Sequence, residues 1–258
     1  MEYALLSESV QIKKISENDN EGVFEVEGLF SGYGLTIGNA LRRVLLSSLP
    51  GAAVTQVKIN NVKHEFSTID GVLEDVVELT LNLKKMRFKF YADELQVLML
   101  DIKGEKEITA GDFKTPSQVE IVNPDLHIAT ITDKKVELKM EITVEKGLGY
   151  SPIESRKTEK LPIGVVAIDA IFTPITKVNF TIENMRVGER TDYNKLRLVV
   201  ETDGTIAPSA ALRKAANILK DHFDKVSQVE VVEEAIPKEK KEAKETKEKK
   251  ETKKKTKK

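Results

Sequence analysis

The stretch Gly32-Tyr33-Gly34-Leu35-Thr36-Ile37-Gly38-Asn39-Ala40-Leu41-Arg42-Arg43-Val44-Leu45-Leu46-Ser47-Ser48-Leu49-Pro50-Gly51 decides how this chain folds. Its first glycines punctuate a turn. Thr36 is placed to cap a helix that runs to Ser48 and is stopped by Pro50-Gly51. On a helical wheel of about 100° per residue, Ile37, Leu41, Val44 and Leu45 share one arc, with Ala40 at its edge. That arc is a core-facing stripe. Leu35, Leu46 and Leu49 fall on the opposite side, beside Asn39, Arg42 and Arg43, where a surface helix should be polar. Two readings fit. The second ridge is an interface, where apolar anchors and Arg are enriched. Alternatively, the helix is buried all round and its Arg side chains snorkel to solvent.

Upstream of this helix, residues 10–12 and 23–26 alternate around the polar turn 18–22, which predicts a hairpin. Downstream, residues 54–59, 85–91, 95–102, 119–122, 126–132 and 136–144 read as short strands. Residues 73–83 carry Val76, Leu79 and Leu83 at helical spacing, and residues 146–160 read as an exposed polar loop. The last folded part is strand, strand, helix: 175–187 and 195–201 alternate, joined by the charged connection Glu189-Arg190-Thr191-Asp192. After the turn Asp203-Gly204, Pro208 opens a long helix where its missing N–H costs nothing. On that helix Leu212, Ala216, Leu219, Phe223 and Val226 share a narrow face. Such a face either covers the chain's own sheet or pairs with a second subunit. The expected class is α+β.

The 258 residues carry 41 Lys+Arg against 42 Asp+Glu, but the charge is unevenly placed. Residues 238–258 hold 12 Lys and 5 Glu, which leaves 29 basic and 37 acidic side chains in residues 1–237. An acidic body carries a basic polar tail, expected to be disordered because it has nothing to bury. An acidic body also argues against broad phosphate-backbone binding by the core. The absence of Cys excludes a disulfide scaffold, a Cys-ligated zinc site and a thiol nucleophile. A hydrophobic fraction of 40% is enough for one large domain or two small ones. The N-terminal MEYALLSESV lacks the features of a secretory leader. The most apolar stretch, 161–175, is broken by Pro162, Asp169 and Pro174 and is too short to span a bilayer. A soluble, cytoplasmic protein is expected.

Catalytic constellations are hard to assemble from this sequence. Gly32-x-Gly34-x-x-x-Gly38 is one residue too long for a dinucleotide fingerprint, and the next strand ends in Asn60-Asn61 rather than an acid. It leaves one alternative: a free-standing dimeric binding module with a nucleotide or phosphate site at the Gly32–Gly38 turn. His64, His127 and His222 lack metal-ligand spacing and read as surface or packing residues. Glu74-Asp75 reads as a solvated face or an N-cap. The residues point to a non-catalytic protein built for assembly, with no metal site.

The 32–51 segment closely resembles the bacterial RNA polymerase alpha subunit family. The likeness continues through His64-Glu65-Phe66-Ser67-Thr68, Gly71-Val72-Leu73-Glu74-Asp75-Val76 and Leu81-Asn82-Leu83-Lys84. It returns at Gly147-x-Gly149-Tyr150, Pro162-Ile163-Gly164, Asp169-Ala170, Pro174-Ile175, Glu189-Arg190-Thr191-Asp192 and Asp203-Gly204-Thr205-Ile206. It implies a discontinuous dimerisation subdomain, an antiparallel sheet plus two helices, from residues 1–52 and 173–232. A β-rich insert subdomain would occupy 53–172, and the tail 233–258. The resemblance implies a homodimer through Ile37, Leu41, Leu212, Leu219, Phe223 and Val226. It places beta-subunit docking on Arg42, Arg43, Leu46, His64, Phe66 and Thr68, and beta-prime docking on Lys84, Ile168, Arg190 and Asp192. The implied role is scaffolding within a nucleotidyltransferase that also gathers omega and sigma. Its catalytic magnesium would sit in beta-prime, and this chain would supply no cofactor. Family members usually continue into a helical carboxy-terminal domain that contacts DNA. The Lys/Glu tail stands in its place, which removes the ground for specific DNA contact by this subunit.

Overall fold

A computed structural model describes residues 9–62, 64–156, 162 and 164–229. The expectations for the chain start and for the tail from 230 onward lie outside them. Three α-helices and fourteen strands follow one another among the described residues. Strands β1 (Gln11–Glu17) and β2 (Glu21–Leu29) form the expected hairpin, and helix α1 spans Tyr33–Ser47. Then come β3 (Pro50–Ile59), α2 (Val76–Leu83), β4 (Phe88–Phe90), β5 (Gln96–Lys103), β6 (Lys106–Thr109), β7 (Val119–Ile121), β8 (His127–Ile131) and β9 (Glu137–Leu148). The fold is completed by β10 (Tyr150–Ser151), β11 (Val165–Ala167), β12 (Ala170–Ile171), β13 (Ile175–Val187), β14 (Arg190–Thr202) and α3 (Pro208–Val226).

The first and last elements make one antiparallel sheet in the order β1-β2-β14-β13. Its inner face meets α1 and α3. Leu41, Leu45 and Leu49 pack with Phe24, Val178, Leu198, Val200, Ala211, Leu212 and Ala215. Burying a Leu side chain is worth roughly 1.5–3 kcal/mol. The other face of the sheet carries ion pairs instead, graded from the exposed Lys13 to the buried Glu25. Those pairs run as a ladder from Lys13 through Glu27 and Lys195 to Glu25 and Arg197. They keep the outer face polar. α1 lies close to the sheet because Gly38 has no side chain: a Cβ there would stand 2.8 Å from the Phe180 ring. At the start of α3, Glu17 accepts the Ser209 N–H at 2.8 Å. Bonds from Ser209 and Lys14 pull its carboxyl down to about 2. A carboxylate from β1 thus caps the last helix.

Residues 52–168 build a separate core around the sheet β11-β3-β9-β5, with α2 and the ribbons β4–β7 and β6–β8 packed onto it. Val76, Leu79 and Leu83 are the buried face of α2, as their spacing predicts. A small third cluster, Ala53, Ala170 and Phe172, lies where the chain passes between the two cores.

Several local expectations need correction. α1 begins at Tyr33 rather than after Thr36, because its N-terminal donors are met from across the fold. Gly32 N–H and Gly34 N–H both reach Asn194 Oδ1, at 2.9 and 3.4 Å. Leu49 belongs to the core, not to an exposed second ridge. The expected loop at 146–160 is paired in its first part: β9 continues to Leu148 against Pro50–Ala52, and β10 pairs with β12; residues 157–160 lie outside the described residues. Arg190–Asp192 is strand rather than connection, and Gly188-Glu189 alone makes the turn.

Gly51 marks the tightest approach between β3 and the returning chain. A Cβ there would fall 1.9 Å from the Phe172 carbonyl oxygen, a backbone atom that cannot rotate away. Gly51→Ala is therefore expected to cost about 2–3 kcal/mol and to lower the melting temperature by ~5–10 °C. Calorimetry at fixed protein concentration checks this, and an unchanged transition would contradict the packing described.

Candidate subunit interface

α1 exposes a narrow strip of side chains. Arg42 and Arg43 are exposed, as are Leu35 and Leu46, while Leu41 and Leu45 face the core. Within its own chain, therefore, the helix is not buried all round. The Ser47 hydroxyl bonds the Arg43 carbonyl at 2.7 Å and so closes the last turn beneath the two arginines.

His64, Phe66 and Thr68 sit on a short loop of the insert, and all three are exposed. Phe66 is 78% accessible, an unusual state for an aromatic side chain. The loop is tied down by Ser67. Its N–H donates to the His64 carbonyl at 3.2 Å, its hydroxyl meets His64 Nδ1 at 3.1 Å, and its carbonyl accepts the Val76 N–H at 3.3 Å. Phe66 is therefore presented to solvent from a loop anchored to the N-terminus of α2, which Asp75 caps through the Glu78 N–H.

The positions assigned to beta-prime docking divide into two clusters and one core residue. Lys84 pairs with Asp169 at 3.3 Å and lies 5.7 Å from the Tyr150 ring centre. Asp169 is held below the usual carboxylate range, first by the Ile153 N–H and then, against burial, by Lys84. Arg190 is fixed by a two-pronged bond to Asp192, at 3.0 and 2.7 Å. Its guanidinium lies over the rings of Phe30 and Tyr193, with centres 4.9 and 5.5 Å away. Ile168 departs from expectation: it is 4% exposed and packs in the insert core, so it cannot offer its side chain to a partner.

The assigned dimer residues also divide. Leu41 and Leu212 are buried inside their own chain's core, because both face the sheet. Neither therefore offers its side chain to a second copy. Ile37 and Leu219 are half-buried at the margin of that core. Phe223 and Val226 are exposed at 64% and 69%.

The Gly32–Gly38 turn is not a phosphate cradle. The Gly32 and Gly34 N–H groups are taken by Asn194, and Tyr33 N–H by the Phe30 carbonyl at 3.0 Å. Among the described residues, no group of three or more His, Cys, Asp or Glu is arranged to hold a metal ion, and no helix is long and apolar enough to cross a membrane.

Sequence reading missed one polar centre. Glu74 is buried rather than solvated. It accepts the Thr130 N–H at 2.6 Å and the Thr130 hydroxyl at 3.2 Å, and meets His127 Nε2 at 2.8 Å. His127 Nδ1 lies 3.0 Å from Glu107. Nothing local in the sequence signals it, because Glu74 and His127 stand 53 residues apart. The network fixes the approach to α2 against β8. Phe30, Tyr193 and Asn194 were likewise missed as neighbours of assigned residues, since nothing local connects residues 30–34 to 190–194.

A four-stranded antiparallel sheet with two helices, interrupted after α1 by a β-rich subdomain that carries its own core, defines a two-subdomain α+β protein with an inserted domain. Residues 57–173 match the family described as "RNA polymerase Rpb3/RpoA insert domain". The chain is 55% identical over 210 residues to the DNA-directed RNA polymerase subunit alpha of Symbiobacterium thermophilum, covering 81% of this chain and 66% of that protein. It is 48% identical to the same subunit of Alkaliphilus oremlandii (90% and 75% covered) and 50% identical to that of Oceanobacillus iheyensis (83% and 68% covered). The chain belongs to the DNA-directed RNA polymerase alpha subunit family, and it spans about two thirds to three quarters of the length of these relatives.

The Glu74–His127 pair makes stability depend on pH. Burial works to raise the Glu74 carboxyl, but the bonds from Thr130 and His127 outweigh it and hold it below its ordinary 4.5. The bond to Glu74 raises His127 above its ordinary 6.5. The Glu74 contribution is complete above its unfolded value and is lost as pH falls through the lowered folded value. The His127 contribution is complete below its unfolded value and is lost as pH rises through the raised folded value. The pair is strongest between those ordinary values, 4.5 and 6.5. His127→Gln should therefore destabilise more at about pH 5.5 than at about pH 9. Urea titrations at the two pH values measure this, and equal losses would contradict it.

Proposed function

We propose that this chain is a non-catalytic subunit of a DNA-directed RNA polymerase that dimerises and gathers the beta and beta-prime subunits. The observation that carries this reading is the exposed Arg42-Arg43-Leu46 strip on a helix whose other side is locked into the core. Exposed Arg beside an apolar anchor is what a protein interface uses. Arg42, Arg43 and Leu46, with His64, Phe66 and Thr68, would receive beta. Lys84, Arg190 and Asp192 would receive beta-prime, with Ile168 supporting them from the core. A second copy would cover Ile37, Leu219, Phe223 and Val226, with Leu41 and Leu212 holding the helices beneath. In a symmetric dimer each docking surface occurs twice, and each is used in one copy only.

In this reading the phosphodiester chemistry and its magnesium belong to beta-prime, and this chain contributes neither a catalytic group nor a cofactor. Omega and sigma complete the assembly, which works in the cytoplasm.

Arg43→Ala is expected to leave the dimer intact by light scattering and to weaken capture of the purified beta subunit about tenfold or more. Undiminished capture would contradict the assignment.

A further inference from the structure

The two subdomains are joined covalently at two places, after Leu49 and before Ile175, and solvent-open clefts flank part of the boundary between them. One cleft, of about 330 Å³, is lined by Phe88–Tyr91 and Lys146 from the insert and by Pro174, Thr205, Ile206 and Lys214 from the sheet subdomain. A second, of about 800 Å³, lies between Lys89, Val122 and Asn123 on one side and Glu17–Asn20 and Asp203–Thr205 on the other. Lys89 and Thr205 border both clefts. These two clefts flank the boundary, and between them the subdomains touch along a narrow strip at the Asp203–Thr205 turn.

A charged contact crosses it. Arg87 Nε lies 3.4 Å from Asp203 Oδ2, and the Asp203 side chain is only 8% exposed. Both partners are pre-set. On the insert side, Arg87 Nη1 donates to the Lys84 and Met86 carbonyls at 3.1 Å each, and Arg87 N–H donates to Asn123 Oδ1 at 2.9 Å. On the sheet side, Asp203 Oδ1 accepts the Thr205 N–H at 3.0 Å and its hydroxyl at 2.6 Å, and Asp203 N–H reaches the Pro174 carbonyl at 3.0 Å. Beside the pair, Val122 sits so close to the Gly204 backbone that a Cβ there would stand 3.2 Å from it.

We propose that Arg87 and Asp203 form a latch that sets the angle between the insert and the sheet subdomain, and that this angle is what brings the two halves of the beta-docking surface into register. The second part rests on the proposed docking reading, which places Arg42, Arg43 and Leu46 on the sheet subdomain and His64, Phe66 and Thr68 on the insert. A partner that must touch both halves binds only the fraction of molecules in which they are aligned. Its apparent affinity falls in proportion to that fraction. Arg87 and Asp203 are positioning residues: neither belongs to the assigned docking set.

The chain has no cysteine, so paired labels at Glu141→Cys in the insert and Thr181→Cys in the sheet subdomain report one distance per protomer when labelled chain is assembled with an excess of unlabelled chain. Arg87→Ala is expected to broaden that distance distribution and to weaken beta binding about fivefold to tenfold. Asp203→Asn, which keeps an acceptor for Thr205 and removes the charge, should have the same two effects as Arg87→Ala. Thermal unfolding of each variant guards against misfolding, and Arg87→Lys, which keeps the charge, should stay near wild type. A distribution unchanged by Arg87→Ala would overturn the latch. A broadened distribution with unchanged beta affinity would overturn its role in docking. Failure of the docking reading itself shows differently, as Arg43→Ala binding beta as tightly as the unmodified chain.

Discussion

The amide oxygen of Asn194 holds the start of α1 against the sheet, and the arrangement of the exposed helix face depends on that anchorage. By accepting the Gly32 and Gly34 N–H groups it meets two of the donors that a helix N-terminus leaves unpaired. It also fixes the helix axis over β14. Once the axis is fixed, the 3.6-residue repeat does the rest. Leu41 and Leu45 are turned inward, and Arg42, Arg43 and Leu46 are turned outward. The exposed strip is a geometric result of how one end of the helix is held.

The sequence revealed most of what periodicity controls. The hairpin, the apolar stripe of α1, the buried face of α2, the long β13 and the Pro208 start of α3 were all legible from residue spacing. Tertiary partners were not. Asn194 took the capping role assigned to Thr36, and the strand pairing of residues 146–148 was hidden by their polar composition. Ile168, Leu41 and Leu212 carried interface assignments, yet face inward. A resemblance transfers the neighbourhood of an interface, but burial decides which side chains in it can touch a partner.

The charged groups show the same division of labour. On the outer face of the sheet, Lys13, Glu27, Lys195, Glu25 and Arg197 alternate in sign across three strands, and Glu25 is buried beneath its two cations. Inside, Glu74 and Asp203 are shielded and well partnered. Each stands where one element must be held at a defined place against another.

The strand order also has a consequence for synthesis. β2 pairs on one side with β1 and on the other with β14, so Leu29 waits for Asn194 as its partner across the whole length of the insert. At roughly 5–20 residues per second, the second edge of β2 stays open for about 10–30 s on the ribosome. The insert, whose strands pair among themselves, can fold in that interval. The amino-terminal hairpin emerges first and closes last, and an unpaired strand edge is a template for the wrong partner. For such a chain, the time spent waiting is a hazard that the finished fold no longer displays.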